Sequence, residues 1–547
     1  MVDLWLPPFI LLIGAGLILA VAAVPPWRAA GLNRYWRVGV ITLALVAVLL
    51  TGGAVESSHQ LTLWSSLTAL TAPLAIQSSK AGQWLGASLL VTALAAALMT
   101  RHPGDREETD LHEGSIYPGI GARDGALLLI VLAVSLVSML PSNLLTLVLA
   151  WSVLDTVAAV ASLIAFRPGN DNEWRYLLLN WSSGLIATFF LWGAALPSQA
   201  DVAFQDLTSA PLSGWTGVAL TLAILFRLSP YPLHLLRRRA WPSRGRSRPD
   251  LVSALQTGSV AAGIWLMIQM TGSEMLPDLG RQIISALLLT GLVACGLLAW
   301  LSDQDRQAVG WIMTSQAGLT ALAGLWAGPN AALAEGLVLI LVAGLLTLWT
   351  DSKHRSVESM VAVGIGIAAL AGLPLTWGAK GRFALYQSWL DGGWGLYLFL
   401  ATGALLLVLA TVGRLLVRPT TPPSSRNERL ILGAALALPA VSVLIQSGPL
   451  FPQGNVLVWL AVLAPVGGAA LLTWGAETLQ PLQVQIAARL RAQLTLGGLR
   501  RQVLLWGRLV GRATQAIYQV LEGEGALLWV LILLVLGWVL LTSSSPG

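Results

Sequence analysis

The chain has 547 residues, 56% of them hydrophobic and only 11% charged, and its apolar stretches leave no room between them for a soluble domain of useful size. Its one cysteine, Cys295, lies in an apolar segment, which excludes a disulfide framework, an iron–sulfur cluster and a cysteine-based zinc site. The net charge of +6 comes from basic residues spread through short loops and a C-terminal segment, which suits positive-inside membrane topology better than nucleic acid.

Apolar runs of about 20 residues, the length that crosses a bilayer as helix, predict an all-α polytopic membrane protein of about sixteen transmembrane helices. In chain order the spans are 4–24, 36–54, 81–99, 124–140, 142–166, 175–196, 215–235, 251–271, 280–301, 307–326, 330–350, 359–377, 391–416, 430–446, 454–474 and 526–542. The first has no basic flank and no convincing cleavage site, so it reads as a retained span. Residues 59–77 are apolar but rich in Thr and Ser, and are placed as a loop or re-entrant piece. Every second loop is basic, from Arg28, Arg34 and Arg37 through the arginine cluster of Arg237–Arg248 to Arg414–Arg429, while the loops between are nearly free of Lys and Arg. The positive-inside rule then puts the N-terminus and, after the last span, the C-terminus on the non-cytoplasmic side of a bacterial-type inner membrane.

These spans divide into N-terminal helices over 1–123, two five-helix repeats of inverted sense over 124–271 and 280–416, and peripheral helices over 430–474. Residues 478–520 follow, without proline after Pro481 and with six arginines among Leu, Ile, Val and Trp. As helix they would form a rod of about 60 Å. Two readings fit: an amphipathic lateral helix on the cytoplasmic membrane surface, leaning on a neighbouring subunit, or a solvated helical hairpin. Residues 526–547 form a terminal anchor.

Arg227 is embedded in the apolar run Leu220 to Leu228, with Pro230 and Pro232 just beyond it and His234 two turns further on. A cation beside a broken helix at membrane depth marks a transport site, because hydrocarbon tolerates neither unless protein or internal water satisfies it. The competing reading is an arginine that snorkels from a helix end. His234 is either a proton relay or a polar plug at the helix end. A second interruption, Gly372-Leu-Pro-Leu-Thr-Trp-Gly-Ala-Lys-Gly-Arg-Phe383, again couples a proline, Pro374, to basic residues, Lys380 and Arg382, which are alternatively loop cations. Two such segments in corresponding halves are the mark of a transporter built from internal repeats.

Phe226-Arg-Leu-Ser-Pro-Tyr-Pro-Leu-His234 resembles the Phe-Lys-Leu-Ser-Ala-Phe-Pro-Phe-His stretch of the antiporter-like subunits of respiratory complex I, most closely those of the subunit N type. Gly372-Leu-Pro-Leu-Thr-Trp-Gly is similar to their Gly-Ile-Pro-Met-Thr-Leu-Gly, and Gly381-Arg-Phe to Gly-Lys-Phe. Asp305-Arg306 with Ser315-Gln316, and Val252-Ser253-Ala254, are shorter matches in the same order. The long tail helix with an extra span looks instead like subunit L. The family also includes subunits of membrane-bound hydrogenases, multisubunit Mrp-type cation/proton antiporters and carbon-uptake complexes.

The resemblance implies site residues that this chain retains only in part. The family lysine of the seventh span falls on Arg227, and the basic residue of the twelfth on Arg382, with Lys380 close by. The fifth-span glutamate falls on Ser152, and the eighth-span base near Val260, in a segment with no ionisable group. The eleventh span offers Glu335. A desolvated lysine can load and release a proton, whereas arginine effectively never deprotonates, so Arg227 is a fixed charge, a gate or an ion-pair partner. Asp155, one turn from Ser152, is expected to pair with it; the other reading is that Asp155 caps toward a neighbouring polar group.

The expected function is a membrane-arm subunit of a complex I-like assembly, coupling redox energy from quinone reduction to proton translocation along a degenerate path past Ser152, Asp155, His234, Ser315, Glu335, Lys380 and Arg382. The expected partners are other membrane subunits, the lipid bilayer and redox subunits elsewhere in the complex, with no nucleic acid and no cofactor held by this chain. The alternatives are a stand-alone or Mrp-type cation/proton antiporter, or a structural membrane subunit of a hydrogenase or carbon-uptake complex.

Overall fold

The computed structural model describes residues 2–23, 32–51, 58–61, 74–77, 79–99, 120–165, 183–194, 207, 215–230, 233, 249–270, 276–352, 357–417, 426–445, 455–475, 483 and 485–486. The chain forms two compact units, residues 1–61 with 74–475, and residues 62–73 with 476–547. Nearly all described residues belong to the first unit. The lateral helix expected over 478–520 and the terminal span at 526–542 lie outside the described residues, apart from isolated positions at 483 and 485–486.

The first unit is helical, as the apolar runs require. Its helices are α1 (Val2–Ala23), α2 (Leu32–Thr51), α3 (Lys80–Met99), α4 (Ile120–Val137), α5 (Leu144–Ala165) and α6 (Ser183–Ala194). After these come α7 (Trp215–Leu228), α8 (Pro249–Met270), α9 (Asp278–Trp300), α10 (Asp305–Ala327) and α11 (Pro329–Asp351). The last are α12 (Val357–Ala371), α13 (Trp377–Asp391), α14 (Gly395–Val417), α15 (Arg426–Leu444) and α16 (Val456–Trp474). Among the described residues, six helices are by themselves long and apolar enough to cross a membrane: α3, α5, α9, α11, α14 and α16. In α11, 83% of the apolar window is buried, against 28% in α16, so α11 is interior and α16 peripheral. Accordingly α11 packs against α3, α8, α10, α12, α13 and α15.

Two regions differ from the sequence reading. Within 59–77, read as a loop or re-entrant piece, the described residues form an antiparallel hairpin, β1 (Ser58–Leu61) and β2 (Leu74–Gln77), with Ser58 opposite Gln77. Its inner strand is anchored on the α4–α5 turn: Gln77 N–H donates to the Leu140 carbonyl at 2.7 Å, Ser142 N–H to the Ala75 carbonyl at 2.8 Å, and Ala75 N–H to Thr146 Oγ1 at 3.1 Å. Non-helical backbone is tolerated inside such a bundle when its polar groups are met in this way. The other difference is α13, which falls where no span is expected, because its mixture of Lys, Arg, Gln and Trp has no apolar run to betray it.

Both interruptions seen in the sequence are helix breaks. α7 stops at Leu228, since Pro230 has no N–H to continue the ladder and disfavours a helical residue before it. Ser229 adopts φ 51° there, and its hydroxyl donates to the Phe226 carbonyl. α12 ends on Gly372 at φ 75°, whose N–H donates to Ala369 O while Leu373 N–H reaches back to Ala368 O, a Schellman closure. Leu375 at φ 71° and Pro374 carry the chain across the gap, and Thr376 restarts the helix by accepting the Ala379 N–H on its hydroxyl. Among the described residues Ser229 and Leu375 are the two non-glycine positions with positive φ, so the backbone strain of this unit sits at these two breaks.

Candidate functional site: two buried arginine–carboxylate pairs

At the first break the apolar face of α7 turns Arg227 inward, toward α5, α6 and α8. Its guanidinium meets Asp155 of α5 in a two-pronged contact, Nη1 to Oδ1 at 2.6 Å and Nη2 to Oδ2 at 2.9 Å. Thr188 of α6 donates to Asp155 Oδ2 at 2.7 Å and accepts from Arg227 Nη2 at 3.2 Å, and Ser259 of α8 accepts from Nη1 at 3.3 Å. The indole of Trp151, one turn before Asp155, covers the guanidinium with its ring centre 4.3 Å from Cζ. The planar fork of arginine suits this arrangement, which orients a carboxylate and a ring face at once.

The second break repeats the plan with different residues. Arg382 of α13 contacts Glu335 of α11, Nε to Oε1 at 3.1 Å and Nη2 to Oε2 at 3.4 Å. Gln316 of α10 donates to Glu335 Oε2 at 2.6 Å. Arg227 and Asp155 are 2% and 4% exposed, Arg382 and Glu335 both 0%, so each charge has been taken out of water and depends on its partner.

Glycines permit this closeness. A Cβ on Gly184 of α6 would lie 2.5 Å from Asp155 Oδ1, one on Gly263 of α8 would lie 2.7 Å from Arg227 Cβ, and one on Gly381 of α13 would lie 2.7 Å from Glu335 Cγ. The Gly184→Ala substitution is therefore expected to push Asp155 off Arg227 and to destabilise the protein by about 1–3 kcal/mol, the usual range for overpacking. Thermal unfolding of the purified protein in micelles measures it. An unchanged midpoint would mean that α6 moves away freely and that the first site is not tightly held.

The structure sorts the sequence candidates. Asp155, Arg227, Glu335 and Arg382 come together as two pairs, with Pro230 and Pro374 at the adjoining breaks. Ser152 is not in the first site: its hydroxyl donates to the Val148 carbonyl of its own helix at 2.8 Å. Asp155, a turn later on α5, holds the place facing α7 instead. Ser315 is buried in α10, but the side chain that meets Glu335 is that of its neighbour Gln316. Lys380 is half-buried on another face of α13, its Nζ 5.6 Å from the ring centre of Trp377. His234 and Pro232 lie outside the described residues. Sequence reasoning missed Thr188, Ser259, Gln316 and Trp151. The signal for Ser259 is a polar residue with a close-packing glycine, Gly263, in an eighth span that holds no ionisable group near Val260.

Comparison with known proteins places this geometry. No family model matches the chain. A NADH-quinone oxidoreductase subunit N from Rhodococcus opacus is 24% identical over 257 residues, 40% of this chain and 45% of that relative, so the match spans less than half the relative's length. Among solved structures, a chain of the Mrp complex from a Dietzia species matches over 98% of this chain and 63% of its own length, with a TM-score of 0.69 and 15% identity. A chain of the membrane-bound sulfane sulfur reductase, an archaeal respiratory membrane complex, matches over 98% and 99% with a TM-score of 0.66 and 14% identity. A chain of respiratory complex I from Thermus thermophilus matches over 87% and 98%, with a TM-score of 0.53 and 18% identity. The protein is thus an integral membrane protein similar in sequence to a complex I subunit N and in fold to chains of Mrp, sulfane sulfur reductase and complex I assemblies, which agrees with the antiporter-like resemblance carried by its two broken-helix motifs.

Proposed function

We propose that this chain is an antiporter-like membrane subunit of a complex I-like or Mrp-type assembly, in which both half-channels are closed to ordinary proton hopping by fixed arginine–carboxylate pairs. In the full topology about sixteen spans carry two inverted five-helix repeats, 124–271 and 280–416, with both termini on the non-cytoplasmic side. Its partners are other membrane subunits, with redox energy from quinone reduction supplied elsewhere in the complex.

The observation that carries the reading is the pairing itself. A proton-transfer site needs a group that exchanges its proton near neutral pH, and a guanidinium does not. Bonded to a carboxylate on two atoms and enclosed by neighbouring helices, Arg227 acts as a fixed countercharge, and Arg382 does the same for Glu335. The chain then contributes structure and electrostatic coupling to the assembly rather than a pump cycle of its own.

The test is purification through a tag on this chain, followed by reconstitution into vesicles with a pH-sensitive dye. Further membrane subunits are expected to co-purify, and proton movement through this chain is expected to be weak and unchanged by Arg227→Met paired with Asp155→Leu. A chain that purifies alone would remove the assembly. Strong flux abolished by the paired substitution would remove the closed path.

A further inference from the structure

A half-open cavity of about 50 Å³ lies apart from both ion pairs, where α1 and α3 begin and α2 and α4 end. A single water needs only about 10–15 Å³, so there is room for several groups in a row. Pro8 of α1, Val48 of α2 and Leu136 of α4 give it apolar walls. Gly82 and Gly86 of α3 also line it, and their missing side chains leave a groove that follows the helix for one turn, about 6 Å.

The polar side chains of the lining gather at the helix ends, and each is turned to the protein itself. Thr51 Oγ1 donates to the Val48 carbonyl at 3.0 Å, Gly82 N–H donates to Ser79 Oγ at 3.0 Å, and Gln83 Nε2 donates to the Thr51 carbonyl at 3.3 Å. The walls therefore ask for no hydrogen bond, and an apolar cavity of this kind does not hold water. Around it, Phe9 and Ile13 on α1 and Leu49 and Leu50 on α2 are exposed apolar residues, so bilayer hydrocarbon is the neighbouring medium. One charge stands at the polar end: Lys80, exposed in the first turn of α3 and flanked in sequence by the lining residues Ser79 and Gly82.

An occupant must be apolar along the groove, flexible enough to follow it, and anionic where it reaches the helix ends. We propose that this cavity holds one acyl chain of an anionic phospholipid, with its phosphate at Lys80. A basic side chain at the membrane surface attracts such headgroups, whereas the chain in the groove gains the packing that the two glycines forgo. This lipid site requires only that the protein lies in a bilayer, and it is independent of the closed proton path.

The test uses the full chain in phosphatidylcholine nanodiscs that contain a small share of phosphatidylglycerol carrying a diazirine on its acyl chain. After illumination, cross-links are expected on the segments 82–86 and 136–140. Val48→Phe, which fills the cavity, is expected to abolish them while leaving cross-links to the exposed residues Leu457, Leu460 and Leu463 of α16 as they were. Lys80→Gln is expected to weaken labelling of the cavity about fivefold, the size of one lysine's attraction to an anionic surface, and to leave labelling by the matching phosphatidylcholine probe unchanged. Cavity segments that stay unlabelled while α16 is labelled, or labelling that ignores Val48→Phe, would overturn the proposal. Equal labelling by the two lipids, indifferent to Lys80→Gln, would overturn it too, since the occupant would then be chosen without its headgroup. Lys80 is exposed, so this last comparison decides the matter even if Val48→Phe does not fold.

Discussion

The Asp155→Asn variant is expected to unfold at a markedly lower temperature, with a loss of about 3–5 kcal/mol, the range found when one member of a buried ion pair is removed. Asparagine keeps the size of the side chain and one carbonyl oxygen for Thr188 or Arg227, but it leaves a full positive charge enclosed by α5, α6, α7 and α8. The contrast that identifies the cause is the double variant Asp155→Leu with Arg227→Met. Exchanging a buried ion pair for apolar side chains of similar volume is often neutral or better, so the double variant is expected to recover most of the loss. Calorimetry or a fluorescence melt of the protein in micelles reads both. If the double variant is as unstable as the single one, the pair matters through packing, with Trp151 and Gly184 as the places to look.

The second large effect concerns function. Arg227→Lys is expected to give the first half-channel a group that can exchange protons, because a free ammonium releases its proton about 1000-fold more readily than a guanidinium before any environment acts. Desolvation among the same helices lowers the barrier to the neutral amine further, while Asp155 opposes it. Reconstituted vesicles are expected to show faster proton flux with Arg227→Lys than with the parent protein, and no gain with Arg382→Met paired with Glu335→Leu, which removes both charges and leaves no titratable group. Equal flux in the parent and in Arg227→Lys would show that the barrier lies elsewhere in the path.

Much of this organisation is local and therefore legible in the chain. Pro230 and Pro374 interrupt helices wherever they stand, since the missing N–H and the restriction on the preceding residue act over a single turn. The apolar runs are legible for the same reason. What is not legible is α13, which carries the second arginine: it has no apolar run, and it folds as helix because the Thr376 hydroxyl starts it and α11 and α10 pack along it. The β1–β2 hairpin was hidden likewise, its inner strand anchored by partners on the α4–α5 turn.

The sequence by itself determined the membrane class, the two helix breaks, and the presence of a guanidinium that must be met by something at each. Only the tertiary structure decided what meets it. Asp155 reaches Arg227 across 72 residues and Glu335 reaches Arg382 across 47, and which helix faces which is set by the packing of the whole bundle. Ser152 and Asp155 lie about one turn apart, and local periodicity puts them on nearly the same face; a rotation of α5 by a fraction of a turn separates a side chain bonded to its own backbone from one that neutralises a buried charge.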